Sequence, residues 1–511
     1  MSAQINYTLA QGGLKGQALS QDGVSGLIFY GTAPGSFATT ASQQVTSLAD
    51  AVTKGIANDY ADETKATGTY LITTKGNTAD TIALTVTEPM PNGGTKSVPL
   101  GTYTVGSSDT TIALQGAAWA AVINAGTYSH GYTASFTTAT LTVTARQGLG
   151  IALNTGTPLA VTLTGAFAGT LTQFSSGAYS KKSLWYYHIS EFFRVNPNGI
   201  LWVGIYSTVN AFADLNTLRT ASNGTIRKYG IFDVTVTSAA TLASNTTAMQ
   251  SLAAAWTTSP YYCPANIIYA PNIAAITDLT TLVNGQSYSN YWVQVCIGQD
   301  GTGAGASLYT NTGVSVTCLG AQLGIASLAA VSQDMGEVGA FNITNGIELV
   351  TPAFSNGTLV RSVSQSTKDQ LDAYRYTYLT YYTNYAGTYI SDDWTYCAQT
   401  SDYLRFSRGQ VIGKAIRITY AGMLPLLKSR LYLNADGTLT TRTIEQFDTA
   451  IRSQLVVLTS GAAPDASGFA INIPANQNVL STNAVAVTIG IQPVGIASTI
   501  NVTIGFVPKL N

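Results

Sequence analysis

The chain has 511 residues, with 24 Lys and Arg against 25 Asp and Glu, a net charge of −1 and only 10% charged residues, against about 25% in an ordinary soluble domain. A hydrophobic content of 45% excludes a disordered chain. Without a basic excess there is no footprint for gripping nucleic acid, and no apolar run approaches the roughly 18 residues that cross a bilayer.

The length suggests about three domains. The start, Met1-Ser2-Ala3-Gln4-Ile5-Asn6, lacks the basic and apolar regions of a signal peptide, so the mature chain is expected to begin here. Ile5, Tyr7 and Leu9 alternate before Gly12-Gly13, as a short strand on a tether would. Gly26 to Gly31 encloses the apolar run Leu27-Ile28-Phe29-Tyr30, a buried strand. Val45, Leu48, Val52 and Ile56 then recur at helical spacing, with Ser42 as the cap. Together residues 1–65 read as an arm followed by a strand and a helix.

Residues 66–178 change character. Lys75, Asp80, Glu88, Lys96, Asp109 and Arg146 are their charged residues, and short Thr/Val alternations are separated by turns such as Pro91-Asn92-Gly93-Gly94. Strands at such spacing predict an inserted antiparallel, sandwich-like β domain. Within it Ala117 to Asn124 reads as a helix, and both Asp80 to Leu84 and Asp109 to Leu114 read as hairpin chemistry.

Residues 179–360 alternate strand and helix. Leu201 to Tyr206, Tyr229 to Val234, Asn266 to Ala270 and Trp292 to Ile297 are strand-like. Thr241 to Trp256 and Cys318 to Val331 are helix-like, and Leu184 to His188 reads as a strand end. That alternation predicts strands covered by helices. Residues 361–511 begin with a Tyr/Thr-rich strand pair from Tyr376 to Ile390. The stretch from Arg405 to Arg430 carries Arg405, Arg408, Lys414, Arg417, Lys428 and Arg430 and no acid. Thr443-Ile444-Glu445-Gln446 matches a capping box opening a helix through Leu458. Two alternating strands end the chain, Val485 to Ile491 and then Ile500, Val502, Ile504 and Phe506, with Pro493-Val494-Gly495 between. The fold class is α+β and multidomain: a mixed α/β core, an inserted antiparallel β domain and terminal strand arms from about residue 484.

Residues that carry chemistry are sparse. Cys263, Cys296, Cys318 and Cys397 form no C-x-x-C, and the nearest two are 22 positions apart, so buried free thiols are expected and neither zinc nor disulfides. The two histidines, His130 and His188, lack a nucleophile motif. Gly301-Thr302-Gly303-Ala304-Gly305-Ala306 lacks the third glycine of a dinucleotide fingerprint and reads as a loop. Gly409 to Ala415 lacks the Ser/Thr of a phosphate loop. Asp392-Asp393-Trp394 is glycosidase-like, but adjacent acids in a strand point to opposite faces, so a solvated turn is preferred. A hydrolase built on Asp392/Asp393 or His188/Glu191 is therefore disfavoured. No catalytic residue, metal or cofactor is assigned. A secreted or surface β-rich carbohydrate-binding protein is the alternative that the Tyr/Trp content leaves open.

The order of elements resembles the contractile phage tail sheath proteins. The resemblance is carried by Tyr187 to Pro197, Ile390 to Thr395, Tyr403 to Gly409, Leu48 to Ile56, and the helix from Thr443 leading through Gly461-Ala462 to the strands at 484–507. It covers about residues 20–60 and 180–507, leaving 66–178 as a decoration of the sheath core. It implies a virion tail component, assembled in the host cytoplasm and without an active site. Subunits would stack as hexameric rings in a helical array around a tail tube protein, contact baseplate and neck or terminator proteins, and contract to drive the tube through the host envelope for genome ejection. Direct nucleic-acid binding and membrane insertion are not implied. Ile5, Tyr7 and Leu9, with Ile500, Val502, Ile504 and Phe506, would pair with neighbouring subunits by strand addition. The six bases between Arg405 and Arg430 are candidates to face the tube, with the helix carrying Glu445, Asp448 and Arg452 as a competitor.

Overall fold

Apolar runs with no polar alternation suit a sheet buried on both faces, and four of them build the centre of this protein. In a computed structural model, which describes residues 22–258 and 263–502, seven strands pair side by side. Their order is Tyr376–Thr377, Val293–Cys296, Asn266–Pro271, Lys228–Asp233, Ser25–Tyr30, Leu201–Tyr206 and Ser42–Val45. All neighbours run parallel except Ser42–Val45, which lies antiparallel to the Leu201–Tyr206 strand. That edge strand uses the residues expected to begin a helix. The helix is Leu48–Thr53 instead, and Ser47, not Ser42, accepts the N-terminal hydrogen bond from Asp50 N. A free edge of the sheet recruits Ser42–Val45 more strongly than local periodicity holds it helical.

Alternation sorts the strand residues onto two faces. Ile28, Tyr30, Tyr229, Ile231, Ile267, Tyr269, Val293 and Val295 pack with Leu215, Leu218, Leu242 and Met249 of the Asp214–Ala221 and Ala239–Ala255 helices. On the other face Phe29 stacks on Trp185 with centroids 5.7 Å apart. Trp185 belongs to a helix, Lys181–Val195, where a strand end at His188 was expected. Ser180 caps this helix, and Leu184, His188 and Phe192 recur every four residues, so their burial is helical in period. A second helix, Leu319–Leu328, packs backbone to backbone against it. A Cβ on Gly320 would stand 2.1 Å from the His188 carbonyl oxygen, and one on Gly324 3.0 Å from that of Phe192.

Between the Leu48–Thr53 helix and the Lys181–Val195 helix in chain order, two antiparallel sheets share a core of their own. One has the order Thr133–Thr137, Thr140–Thr144, Thr67–Thr74, Ala168–Ser175; the other Thr95–Thr104, Thr81–Pro89, Leu159–Leu163. The Ile112–Ala125 helix adds Trp119, set edge-on to Tyr70 at 5.6 Å. It is longer than expected because Thr111 caps it. The two Asp-Thr-Ile-Ala-Leu-like stretches therefore differ: one opens the Thr81–Pro89 strand and the other turns into this helix. Glu88, 3% exposed, is held by Arg146 at 2.7 and 3.0 Å and by the Tyr132 hydroxyl at 2.8 Å.

The described residues fall into two compact units. One contains 23–328 and 335–406, and thus both architectures above; the other contains Asp22, 329–334 and 407–502. In the second unit the Phe406–Met423 and Thr441–Thr459 helices bury Val411, Ala415, Ile418, Ile451, Leu455 and Leu458. Thr440 is the cap of the later helix, three residues before the expected one. A two-stranded antiparallel sheet, Ala466–Asn472 with Thr488–Pro493, completes that core. The Val/Ile strand pairs with the strand after Gly461-Ala462; most of the expected last strand, from residue 503 on, lies outside the described residues.

Candidate functional site

Arg405 begins the basic stretch, yet it does not lie on a surface. Its backbone bridges Trp394 in antiparallel register, and Phe406 N donates to Asp393 O at 2.8 Å. This pairing aims the guanidinium at two carboxylates: Arg405 Nη1 donates to Asp392 Oδ1 at 2.6 Å and to Asp393 Oδ1 at 2.7 Å. The guanidinium also lies 4.4 Å from the Trp394 ring centre, as does that of Arg375. Trp394 Nε1 donates to Asp372 at 2.7 Å. The expected solvated turn at Asp392-Asp393-Trp394 is therefore a buried ionic cluster. Burial pushes the Asp392 carboxyl up to about 6, against the pull of Arg405. Arg405 is 6% exposed, so a role in facing another protein does not suit it.

Two more of the six bases are neutralised within the C-terminal unit. Lys414 Nζ meets Asp465 at 2.7 Å and Asp22 at 3.3 Å, and Arg417 bonds Asp22. Burial disfavours the Lys414 charge, but Asp465 and Asp22 outweigh it and hold the ammonium above its usual range. Arg408 is half-buried; Lys428 and Arg430 are exposed. The linear run of bases thus splits into a buried cluster, a locally paired group and an exposed pair. Its acids come from positions 22, 392, 393 and 465, which no local window contains. On the competing helix Arg452 pairs with Asp448 at 2.9 Å, one turn away.

Ile500 and Val502 of the proposed C-terminal arm are 80% and 74% exposed and lie in no strand. Ile504 and Phe506, and Ile5, Tyr7 and Leu9 of the N-terminal arm, lie outside the described residues. Leu424, Leu427, Val456, Val457 and Leu480 add exposed apolar surface to the same unit.

The remaining chemical candidates resolve into structure. His188 is fully buried against Phe232, at 4.4 Å, with neither ring nitrogen hydrogen-bonded, and burial pushes it down to about 3. Glu191 engages Arg194 at 2.6 and 2.9 Å rather than His188. His130 Nδ1 accepts from Tyr132 N at 3.1 Å. Gly409 to Ala415 is helix interior. The expected loop after Gly303 is instead the Ala304–Thr312 helix. All four cysteines are free and buried, and the fold brings Cys296 and Cys318 to 3.6 Å.

The family described as "DUF2586, C-terminal domain" matches residues 402–511. No curated protein matches the chain. Solved structures similar to it include three chains from other systems. One, in the anti-feeding prophage baseplate, is 13% identical, covers 63% of this chain and 80% of its own, and has a TM-score of 0.40. One, in the contracted PVC sheath complex of an extracellular contractile injection system, is 12% identical with the same coverages and TM-score. A sheath tail protein from Listeria innocua is 10% identical, covers 94% of this chain and 95% of its own, and has a TM-score of 0.39.

Proposed function

We propose that the chain is a structural subunit of a contractile tail sheath, polymerising around an inner tube and contracting to drive that tube through a cell envelope. The observation that carries this reading is the make-up of the C-terminal unit. Among the described residues its sheet has two strands, neither covered on its outer edge by a described strand, and it is followed by the exposed residues Ile500 and Val502. A two-stranded sheet is marginal alone, and an open edge is a template for a further strand. A strand from a neighbouring subunit would use main-chain hydrogen bonds for affinity and alternate side chains for register. Each such bond contributes only about 1 kcal/mol net, and a closed ring multiplies them.

The tube contact in this reading falls to the exposed Lys428 and Arg430, with the half-buried Arg408 as a further candidate. Exposed ion pairs contribute about 0.2–1 kcal/mol each, which suits a contact that releases on contraction. Self-association, a tube protein, and baseplate and neck proteins are the partners, and rings of six are the expected unit. Residues 66–178 would decorate the core. Negative-stain microscopy of the purified full chain tests the reading. Rings or hollow tubes are expected. A strict monomer that binds glycans would replace it with the carbohydrate-binding alternative.

A further inference from the structure

The Ala304–Thr312 helix begins in an oxygen-lined recess. Asp300, fully buried at the end of the Gly298–Asp300 strand, accepts from Thr302 N at 3.1 Å through Oδ1, while its Oδ2 has no hydrogen-bond donor. Glu348 accepts from Ala304 N at 2.8 Å. The two carboxyls converge on Gly303: a Cβ there would stand 2.3 Å from Asp300 Oδ2, 2.5 Å from Glu348 Oε2 and 2.9 Å from the Ile347 carbonyl oxygen. The Tyr187 hydroxyl reaches the same place. Tyr187 is 6% exposed, its hydroxyl has no partner, and a Cβ on Gly305 would meet it at 2.7 Å and Asp300 Cβ at 2.9 Å.

Charge in this recess is unbalanced. Glu191 and Arg194 of the Lys181–Val195 helix face it and engage each other. Arg194 also feels the charge of Glu348, so one cation lining the recess faces three acids: Glu191, Asp300 and Glu348. Two carboxylates this close repel each other unless a proton or a cation lies between them. A cavity of about 450 Å³, lined by Tyr187, Glu191, Arg194, Ser307, Asn345 and Glu348, opens beside the pair and gives room for water.

We infer that Asp300 and Glu348 form a binding site for a hard divalent cation of the calcium class. Two carboxylates, a backbone carbonyl and water are the oxygen donors such ions take, and the Tyr187 hydroxyl is a further donor within the recess. The site would add a tie between the start of the Ala304–Thr312 helix and Glu348, beside the hydrogen bond to Ala304 N. Asp300 and Glu348 are far apart in the sequence, and the loop expected at Gly301 to Ala306 hides the helix start that brings them together.

Terbium luminescence excited through tyrosine tests it, using the full chain in mildly alkaline buffer, with calcium as competitor. A saturable signal that calcium displaces is expected, together with a calcium-dependent rise in the thermal midpoint. Asp300→Asn with Glu348→Gln should remove both effects while keeping the circular dichroism spectrum. Gly303→Ala, which fills the recess, should lose the signal as well. If wild type shows neither a saturable signal nor a calcium-dependent midpoint, or if the double variant keeps both, the site is refuted. The wild-type titrations decide the matter even where a variant misfolds.

Discussion

The two units of this chain solve the problem of burial in opposite ways. In the larger one the seven-stranded sheet is covered on both faces, and even its charges are enclosed: Arg405 with Asp392 and Asp393, Glu88 with Arg146 and Tyr132. In the C-terminal unit a two-stranded sheet rests on a helix pair, and Leu427, Leu480, Ile500 and Val502 are at least 70% exposed. The first encloses its sheet and these ion pairs; the second, among the described residues, leaves strand edges and apolar side chains for something else to cover. Substitutions in the first should therefore change folding, and substitutions in the second should change association.

The largest expected effect is in the sheet-covering helices. Gly320→Val would drive its side chain into the His188 carbonyl, 2.1 Å from an added Cβ, and backbone has nowhere to yield. A loss of about 3 kcal/mol or more is expected, read as a lowered denaturant midpoint or failure to fold. Arg405→Met comes next. It leaves Asp392 and Asp393 buried without their cation, and breaking such a cluster costs about 3–5 kcal/mol. If this variant keeps wild-type stability and loses only assembly, the enclosed character of the larger unit is wrong.

A smaller effect depends on pH. His188 titrates near 6.5 unfolded but is pushed down to about 3 when folded. A depressed histidine means that the unfolded chain takes the proton first, so stability is complete above the unfolded value and is lost as pH falls through it. At about pH 5 the loss is about 2 kcal/mol. His188→Leu should remove that part of the acid sensitivity. Asp392 has the opposite sign: its carboxyl is raised to about 6, so its contribution is lost as pH rises. Comparing denaturation midpoints of wild type and His188→Leu across this window separates the two. The smallest stability effect belongs to Leu480→Asp, 76% exposed in the C-terminal unit. It should change stability by no more than about 0.5 kcal/mol while reducing the assembled fraction in sedimentation.

Much of the larger unit was legible because burial on both faces writes continuous apolar runs, as at Leu201 to Tyr206 and Asn266 to Ala270. The errors came where a distant partner decided the outcome. Ser42–Val45 is a strand because Leu201–Gly204 offers an edge. Leu184 to His188 is helical because Ser180 starts a helix that the sheet then buries. Asp109 to Leu114 turns into a helix where the similar Asp80 to Leu84 continues as a strand, since Thr111 caps the first. The candidate site was less legible still. Six bases without an acid looked like a surface, but Asp22, Asp392, Asp393 and Asp465 lie outside the window and reach three of them.

The most direct test of the central claim, that the C-terminal unit is completed by neighbouring subunits, is sedimentation and negative-stain imaging of the chain lacking residues 499–511. The expected result is a folded subunit, with the circular dichroism and denaturation midpoint of the full chain, that no longer forms rings or tubes. A truncated chain that still assembles into tubes would contradict the claim.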